Sequence, residues 1–466
     1  MTVKVLLLQL NVEMQDTAVY VNHGVASLAG TLRAAGFEPE IVVLDTPEYH
    51  SGQWLERAAA IGYALAGISV YSNQWEYAIA AARSLRLRCS IPVIGGGPHC
   101  SLFPEALSGT DAFDAFVAGE GEEVITALAV RAEKNESFAG LPGVWTRDAA
   151  GRGLVRGGAP PFPADLDALA DPAYDLYSRE VVLNYPGLMF SRGCPYDCSY
   201  CCNAAYRRRL GAVKVRFLAP ERAVRRAEHL VSLFHPPYLN FDDDTFTKNP
   251  RWMSSFLEGY RRSVGLPFNC NTRPEAITPE VCRLLKEGGC DTVALGCESG
   301  SEELRRTVLN RAMSDEAIIR AAESIHTAGL HLATFNMVGM PGERWSDYLK
   351  TVALNRCIVP EKVQMTVYYP FRGTALGDSC FERGLVREGG IAASYFGGSV
   401  LRLPGFPVWQ IRLAHRLFKF LVFIKPVPVK ACFELAKDMV KTLPFGHRLV
   451  QPWLRLKRFL SEGGGR

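Results

Sequence analysis

The sequence predicts an α/β protein that begins with a Rossmann-like, doubly wound parallel sheet. Short apolar runs of strand length alternate with segments of helical spacing over the first 135 residues, and glycine clusters follow two of the predicted strands. A second series of strands and helices begins at Val182. With 466 residues, the chain is long enough for two or three domains.

The N-terminal elements follow one another in the order strand, helix, strand. Predicted strands cover residues 4–10, 40–44, 66–71, 91–94 and 115–118, and predicted helices cover residues 25–35 and 75–87. This alternation is typical of a parallel sheet, in which a helix connects consecutive strands.

Glycines mark the carboxyl ends of two predicted strands, where ligands of such sheets bind. The first cluster is Gly95-Gly96-Gly97, and the second is Gly119-Glu120-Gly121-Glu122. Glycine at these positions lets a ligand approach the backbone closely. Gly96 and Gly97 are therefore candidate cofactor-binding residues.

Three cysteines lie close together in the second series. Cys194, Cys198 and Cys201 have the spacing C-x3-C-x2-C, and the intervening Gly193, Pro195 and Asp197 are loop residues. Three soft thiolates on one loop suit an iron–sulfur cluster, which normally takes four cysteine ligands. The sequence therefore predicts a [4Fe–4S] cluster with one iron open to a small molecule.

This spacing resembles that of the radical S-adenosylmethionine (SAM) superfamily, in which the open iron chelates the amino and carboxylate groups of SAM. The resemblance implies that the second series forms a partial (β/α)6 barrel, with its reactive face at the strand carboxyl ends. It also implies that Tyr200, just before the third cysteine, contacts adenine.

Further segments match the superfamily pattern in order. The strand at 238–241 ends in three aspartates, of which Asp243 is expected to bind the SAM amino group, with Asp244 as the second choice. Arg273 is expected to pair with the SAM carboxylate, because a guanidinium binds it bidentately, and an ion pair with Glu275 is the alternative.

Two later turns continue the match. Gly296-Cys-Glu-Ser-Gly300 resembles the segment whose Glu298 and Ser299 bind the ribose or amino-acid part of SAM. Pro370-Phe-Arg-Gly-Thr374 resembles the Pro-x-x-Gly-Thr turn, which makes Gly373 and Thr374 candidate cofactor-binding residues.

The first 125 residues resemble the cobalamin-binding domain that precedes many radical SAM domains. The resemblance lies in Gly67-Ile-Ser-Val, Gly96-Gly-Pro-His99 and the Gly119–Glu122 turn, in that order. None of the nine histidines completes Asp-x-His-x-x-Gly, the signature that places a histidine on cobalt. Cobalamin is thus implied by the resemblance, and an empty domain is the alternative.

Four regions follow from these assignments. They are a cobalamin-binding-like domain at 1–135, a linker rich in glycine and proline at 136–181, a radical SAM partial barrel at 182–400 and a small helical C-terminal cap at 401–466. The apolar stretch at 417–424 is interpreted as a lid over the barrel mouth, and a membrane-surface helix is the alternative.

The composition is typical of an enzyme whose cysteines are reduced. Thirteen cysteines in so long a chain are too few for a disulfide scaffold, and 52 basic against 48 acidic residues give no argument for a nucleic-acid partner. The N-terminal apolar run is too short for a signal peptide or a membrane span, so the cytoplasm is the expected compartment. Cys202 is expected to be a bystander, because adjacent thiols point apart.

The resemblance implies that SAM is cleaved reductively to a 5′-deoxyadenosyl radical, which takes hydrogen from an unactivated carbon of a natural-product intermediate, as in antibiotic biosynthesis. Cobalamin-dependent C-methylation is the favoured outcome. The alternative is a cobalamin-free radical dehydratase or lyase that deoxygenates a diol of a sugar or aminoglycoside intermediate, with Tyr206, Glu343 or Tyr368 as candidate catalytic acid or base. A flavodoxin or ferredoxin is the expected electron donor, and no nucleic acid or membrane is expected as a partner.

Overall fold

The computed structural model describes residues 2–14, 19–148, 150–151, 153–212, 215–387, 396 and 398–424. Residues 1–418 form one compact unit that contains both main sheets, and the described residues after it, 419–424, continue the last helix and its end.

Seven strands form the N-terminal sheet. The first five are parallel in the spatial order second, first, third, fourth, fifth, and the last two add to the edge as an antiparallel hairpin. This order of the parallel strands is one of the two common doubly wound arrangements. In chain order the strands are β1 (Lys4–Asn11), β2 (Glu38–Asp45), β3 (Leu65–Ser69), β4 (Val93–Gly96), β5 (Ala115–Val117), β6 (Val144–Arg147) and β7 (Leu154–Gly157).

Helices cover both faces of this sheet, which explains why β1 is apolar and buried along almost its whole length. Asn22 caps the first helix, because its side chain accepts a hydrogen bond from the backbone N–H of Val25. The helices are α1 (His23–Ala34), α2 (Thr46–Ser51), α3 (Gln53–Ile61), α4 (Trp75–Cys89), α5 (Pro98–Leu102) and α6 (Glu122–Glu133).

The segment predicted as a linker is not structureless throughout. Strands β6 and β7, which lie within it, pair antiparallel at the edge of the N-terminal sheet. Val144 and Thr146 are buried whereas Trp145 and Arg147 are partly exposed, which is the alternation of a strand with one covered face. The glycine-rich and proline-rich composition around this short run concealed that alternation.

The second main sheet has six parallel strands, and a two-stranded antiparallel pair, β9 with β10, lies beside it. The six strands follow chain order across the sheet, from β8 at one edge to β15 at the other. The strands are β8 (Gly187–Leu188), β9 (Ser191–Arg192), β10 (Arg216–Phe217), β11 (Leu239–Phe241), β12 (Phe268–Thr272), β13 (Cys290–Glu298), β14 (His331–Val338) and β15 (Lys362–Val367).

Helices connect these strands, as a partial (β/α)6 barrel requires. Aromatic side chains dominate the core between sheet and helices: the rings of Phe241 and Phe268 stack with centroids 4.3 Å apart. Truncating such a buried ring to alanine costs about 3–5 kcal/mol. The helices are α7 (Arg179–Asn184), α8 (Cys202–Leu210), α9 (Pro220–Phe234), α10 (Pro250–Ser263), α11 (Pro279–Glu287), α12 (Glu302–Thr307), α13 (Asp315–Thr327), α14 (Trp345–Ile358) and α15 (Ala375–Glu382).

The last described helix is α16 (Val408–Phe423). Ile411, Ala414 and Phe418 are buried, and Tyr348 of α14 donates a 3.0 Å hydrogen bond to the carbonyl of Ala414. The rest of the predicted cap, residues 425–466, lies outside the described residues. Within the described part of the chain, no helix combines the length and hydrophobicity needed to cross a bilayer.

The predicted fold class is confirmed in its main parts, a parallel-rich N-terminal sheet, a second α/β domain with parallel strands and a helical C-terminal region.

Candidate active site

A cavity of about 810 Å³ lies at the carboxyl ends of strands from both sheets. The N-terminal sheet contributes the glycine turns that follow β4 and β5, and the second sheet contributes the cysteine loop and the aspartates that follow β11. Both ligand-binding edges therefore face one space. Among the predicted site residues, those that line it are Gly96, Gly97, Cys194, Tyr206 and Asp244.

The cysteine loop is fixed by three other segments. Gly193 has a positive φ of 89°, a conformation that favours glycine. Ser199 donates through its N–H to Leu309 O at 3.0 Å, and its own carbonyl accepts from the N–H of Leu376 at 2.9 Å. Arg207 of α8 donates to the carbonyls of Cys194 and Tyr196. Contacts within the protein thus hold the shape of the loop.

Two arginines contact the thiol of Cys198. Arg273 Nη1 lies 3.1 Å from Cys198 Sγ, and Arg311 Nη1 lies 3.8 Å from the same sulfur. Positive charge of this kind stabilises thiolates, which are the form that binds iron. No three histidine, cysteine or carboxylate side chains in the described residues converge to hold a single metal ion. A four-iron cluster needs a wider arrangement of ligands than a single metal ion, because each thiolate binds its own iron.

The thiols of Cys201 and Cys202 do not point apart as expected, whereas the assignment of Cys202 as a bystander of the cluster stays a prediction. The thiol of Cys202 hydrogen-bonds with that of Cys201, which together with burial raises the pKa of Cys201, and its side chain lines the cavity beside Cys194. Cys202 is the first residue of α8, so the turn into the helix brings two adjacent thiols to the same side.

The three aspartates after β11 have different environments. Asp243 is buried, and its Oδ1 accepts hydrogen bonds from the N–H groups of Phe190 and Ser191 at 3.1 and 2.5 Å. Burial raises its pKa to about 7. Asp244 lines the cavity, and burial raises its pKa as well. The backbone that leads into the cysteine loop therefore holds one oxygen of Asp243, whereas its Oδ2 is buried without a hydrogen-bond partner among the described residues. Its assignment to the SAM amine stays a prediction.

Arg311 is a site residue that the sequence did not indicate. Its Nη1 lies 3.7 Å from Glu298 Oε1 and donates to the hydroxyl of Tyr200 at 3.2 Å, and its Nη2 donates to Gly296 O at 2.5 Å. Burial raises the pKa of Glu298, and Arg311 opposes that shift. Arg311 thus joins two predicted site residues, Tyr200 and Glu298, which are distant from it in sequence.

Arg273 forms the ion pair that was its alternative assignment. Its Nη2 donates to Glu275 Oε1 at 2.5 Å, and its guanidinium stacks 3.9 Å from the centre of the Tyr196 ring. With Cys198 as a further contact, this side chain has several partners around the cysteine loop.

Three predicted cofactor-binding residues have structural contacts instead of lining the cavity. The Ser299 hydroxyl accepts from the N–H of Ser301 at 3.2 Å. Thr374 caps α15 by accepting from the N–H of Gly377 at 3.2 Å. Gly373 has a φ of +85°, and a Cβ there would lie 2.5 Å from Leu102 O. These residues shape turns around the site.

Of the three candidate acids and bases, Tyr206 reaches the cavity. Glu343 accepts from the N–H groups of Gly339 and Met340 at 2.5 and 3.0 Å and closes its own turn, and burial raises its pKa to about 8. Tyr368 is buried beside Cys380, and burial raises its pKa. Neither Glu343 nor Tyr368 lines the cavity, because both side chains turn into the protein interior.

An apolar slot extends the cavity into the N-terminal domain. It runs between the sheet and helices α1 and α6, where an ordinary core would be filled. A Cβ on Gly96 would meet nothing within 4 Å, so this backbone faces open space. The slot fits an elongated ligand with an apolar end, such as cobalamin with its nucleotide tail. Its apolar lining includes Leu7, Val25, Leu28, Ile94, Val117, Val124, Ile125 and Leu128.

The carboxylates of the Gly119–Glu122 turn bind arginines of the second domain. Glu120 accepts from Arg192 at 2.8 Å and from Arg216 at 3.1 Å. Glu122 accepts from the hydroxyl of Ser27 at 2.6 Å and is buried. This turn therefore connects the two sheets at the rim of the cavity.

Comparison with known proteins agrees with this architecture. The profile of the Radical SAM superfamily matches residues 188–354, and that of the B12 binding domain matches residues 17–129. The chain carries a radical SAM domain preceded by a B12-binding domain. The radical SAM domain implies a [4Fe–4S] cluster and SAM, and the B12-binding domain implies cobalamin.

Individual relatives match about three quarters or more of this chain. An uncharacterized methyltransferase of Pyrococcus horikoshii is 26% identical over 356 residues, covering 73% of this chain and 74% of its own. The anaerobic magnesium-protoporphyrin IX monomethyl ester cyclase of Rubrivivax gelatinosus is 24% identical over 366 residues, covering 74% of this chain and 64% of its own. The radical SAM methyltransferase TsrM of Kitasatospora setae, solved with cobalamin and a [4Fe–4S] cluster, has a TM-score of 0.66 and 19% identity over 82% of this chain and 75% of its own.

Proposed function

We propose that this protein is a cobalamin-dependent radical SAM methyltransferase that methylates a carbon atom of a small-molecule substrate. One observation carries the proposal: the apolar slot of the B12-binding domain and the cysteine loop of the radical SAM domain open into the same cavity. A relative named as a methyltransferase and the fold of TsrM support the same reaction class.

When bound, the cluster and SAM supply an adenosyl radical and cobalamin supplies the methyl group. The residues that would hold the cluster are Cys194, Cys198 and Cys201. The slot along α1 and α6 would hold cobalamin, with the glycine turns at Gly97 and Gly119 lining its entrance.

Asp244 is our choice for the SAM amino group, because its carboxylate lines the cavity near the cysteine loop. Burial disfavours the charged form of this carboxylate, and the positive charge of the SAM ammonium group would stabilise that form. Arg311, Glu298 and Tyr200 contact one another beside Cys198 of the cysteine loop. We propose that these donors and acceptors bind the ribose or the amino-acid part of SAM. The surrounding apolar residues exclude water from a reactive species.

The substrate pocket would lie in the part of the cavity between Tyr206 and Asp242. Asp242 accepts hydrogen bonds from Tyr185 at 2.7 Å and from His23 at 2.9 Å, and all three line the cavity. A mainly apolar wall with these few polar groups supports a natural-product intermediate of mixed polarity. We propose a flavodoxin or ferredoxin as the electron donor.

The radical dehydratase is not favoured. Removal of a hydroxyl group needs an acid and a base at the substrate, and of the three candidates Tyr206 alone reaches the cavity. The dehydratase reaction does not use cobalamin and therefore has no role for the apolar slot. Cobalamin-dependent methylation needs a cobalamin site that opens into the cavity.

The proposal is tested with the anaerobically reconstituted full-length protein, SAM with a deuterated methyl group, reductant and hydroxocobalamin. We expect 5′-deoxyadenosine, and we expect the labelled methyl group on cobalamin or on an acceptor supplied from a metabolite extract. Absence of 5′-deoxyadenosine would contradict a radical reaction, and an unlabelled product formed equally well without cobalamin would contradict methyl transfer.

A slot variant separates cobalamin binding from activity. Ile125→Trp places a large ring in the slot, and we expect at least tenfold weaker retention of hydroxocobalamin during gel filtration. Glu123→Gln on the same helix, at an exposed position, is the matched control and should retain cobalamin. Equal retention by both variants would mean that cobalamin does not occupy the slot.

A further inference from the structure

Helix α16 has two apolar faces. Ile411, Ala414 and Phe418 form the buried face within the protein. The opposite face carries large apolar side chains that are exposed to solvent: Trp409 is 63% exposed, Leu413 40%, Phe420 57% and Phe423 43%. Nine large apolar side chains are exposed in the described part of the chain, and four of them lie on this one helix. Scattered exposed residues are normal, but a cluster marks an interaction surface.

The four side chains form a continuous stripe. At about 100° per residue, their positions fall within an arc of about 80° on the helix. We call Trp409, Leu413, Phe420 and Phe423 the exposed stripe. The buried residues of α16 lie on the other side of the same helix, so packing inside the protein does not account for the stripe.

Cations lie along this stripe. Arg412, Arg416 and Lys419 are exposed, and the helical spacing puts them within and along one side of the same face. Between residues 401 and 424 the chain has four basic residues and no acidic one. A surface helix that combines aromatic and aliphatic residues with cations of one sign is the type that lies in a bilayer interface.

The charge of the following segment argues against two other occupants of the stripe. Residues 425–466 contain nine basic residues and three acidic ones. If this segment or a second copy of α16 covered the stripe, positive charge would meet positive charge. An anionic surface offers the complementary sign.

We propose that the exposed stripe of α16 binds an anionic phospholipid bilayer, with the apolar rings in the interface and Arg412, Arg416 and Lys419 at the lipid phosphates. Tryptophan at one end of the stripe suits this position, because its ring is amphipathic. Packing against Tyr348 of α14 accounts for the buried face of α16, and the lipid contact accounts for the exposed one. The contact is peripheral and needs no membrane-spanning helix.

The test is flotation of the full-length protein with vesicles of phosphatidylcholine alone or with about 30% phosphatidylglycerol. We expect at least tenfold tighter binding to the anionic vesicles, and a loss of that preference at about 0.5 M salt, where the screening length is short. Equal binding to both vesicle types, or no binding, would overturn the proposal.

Variants separate the stripe from general stickiness. Trp409→Gln with Phe420→Gln should weaken binding tenfold or more, while Arg412→Gln with Arg416→Gln should remove most of the preference for phosphatidylglycerol. Leu349→Gln on α14, a position 46% exposed, is the control and should bind as the parent protein does. Unchanged melting temperatures establish that the variants are folded, since the buried face of α16 is untouched.

Protein–protein contact is tested by sedimentation without lipid. Dimerisation that depends on Trp409 and Phe420 would mean that a second copy covers the stripe and would overturn the lipid assignment. A monomer that binds anionic vesicles, and loses that binding in the stripe variant, supports it.

Discussion

Arg192 donates through Nη2 to Glu122 Oε1 at 2.6 Å, across the boundary between the B12-binding domain and the radical SAM domain. Arg192 lies two residues before Cys194, and Glu122 begins the helix that lines the apolar slot. Burial alone would raise the pKa of Glu122, but the Arg192 guanidinium overcomes that effect and holds it below its usual range. One ion pair therefore connects the cobalamin slot to the cysteine loop.

Removing this carboxylate should loosen the cysteine loop. Glu122→Gln leaves Arg192 with Glu120 as its remaining acidic partner, and we expect a loss of stability of about 2 kcal/mol. Because the pKa of Glu122 is lowered by folding, this difference should be present at neutral pH and disappear as acid protonates the carboxyl group. Thermal melting at pH 7 and at a series of pH values below 4.5, the usual pKa of a glutamate, measures it.

A positioning role predicts more than a change in stability. The paramagnetic resonance spectrum of the reduced cluster with SAM should broaden or shift in Glu122→Gln, whereas the exposed Glu123→Gln control should match the parent protein. An unchanged spectrum in Glu122→Gln would mean that the ion pair contributes only to stability and does not position the cluster loop.

Cysteine substitutions distinguish ligands from neighbours. Alanine at Cys194, Cys198 or Cys201 should abolish the cluster, because a three-thiolate site has no spare ligand. Cys202→Ala should keep the cluster, although its thiol hydrogen-bonds with Cys201. Iron and sulfide content and the visible absorption spectrum give the answer. Loss of iron in Cys202→Ala, with iron retained in Cys201→Ala, would mean that Cys202 is the cluster ligand and Cys201 its neighbour.

The two neighbouring aspartates should fail in different ways. Asp244→Asn should weaken SAM binding at least tenfold with little change in melting temperature, because its side chain lines the cavity. Asp243→Asn should lower the melting temperature, since Asp243 accepts the N–H groups of Phe190 and Ser191. Calorimetric titration of SAM into the reconstituted variants separates the two effects. Normal SAM affinity in Asp244→Asn would mean that another acidic residue binds the amino group of SAM.

These aspartates also illustrate what sequence can predict. The cysteine spacing and the strand–helix alternation are local, so they indicated the cluster loop and both sheets. Asp243 and Asp244 differ by one position at the end of a strand, where consecutive side chains point to opposite sides. A motif that places three acids in a row does not say which one faces the ligand.

The contacts that the sequence missed are long-range. Arg311 meets Tyr200 and Glu298 through the fold, and no local spacing marks it as a site residue. The glycines of the Gly119–Glu122 turn predict a ligand contact, and in the structure its glutamates bind Arg192 and Arg216. Charged residues of either sign are common at such turns, so the role of these glutamates becomes clear only from the residues that they contact in the folded protein.

Glu343 gives a prediction for the pH dependence of stability. Burial raises its pKa from about 4.5 to about 8, and the neighbouring Asp347 adds to the shift. The folded protein therefore retains this proton at pH values where the unfolded chain has lost it. The protonated form of Glu343 contributes its full stabilisation below about pH 4.5. Between about pH 4.5 and pH 8 this stabilisation decreases, by at most about 1.4 kcal/mol per pH unit, and above about pH 8 it is lost.

Glu343→Gln mimics the protonated carboxyl group, and its amide oxygen can still accept from Gly339 and Met340. The variant should melt near the parent protein at pH 5 and progressively above it as the pH rises to about 8, after which the gap should stay constant. Glu323→Gln, at an exposed position on α13, is the matched control and should show no such trend. A gap that is the same at pH 5 and pH 9 would mean that Glu343 is already ionised in the folded protein, with the two backbone N–H groups compensating its burial.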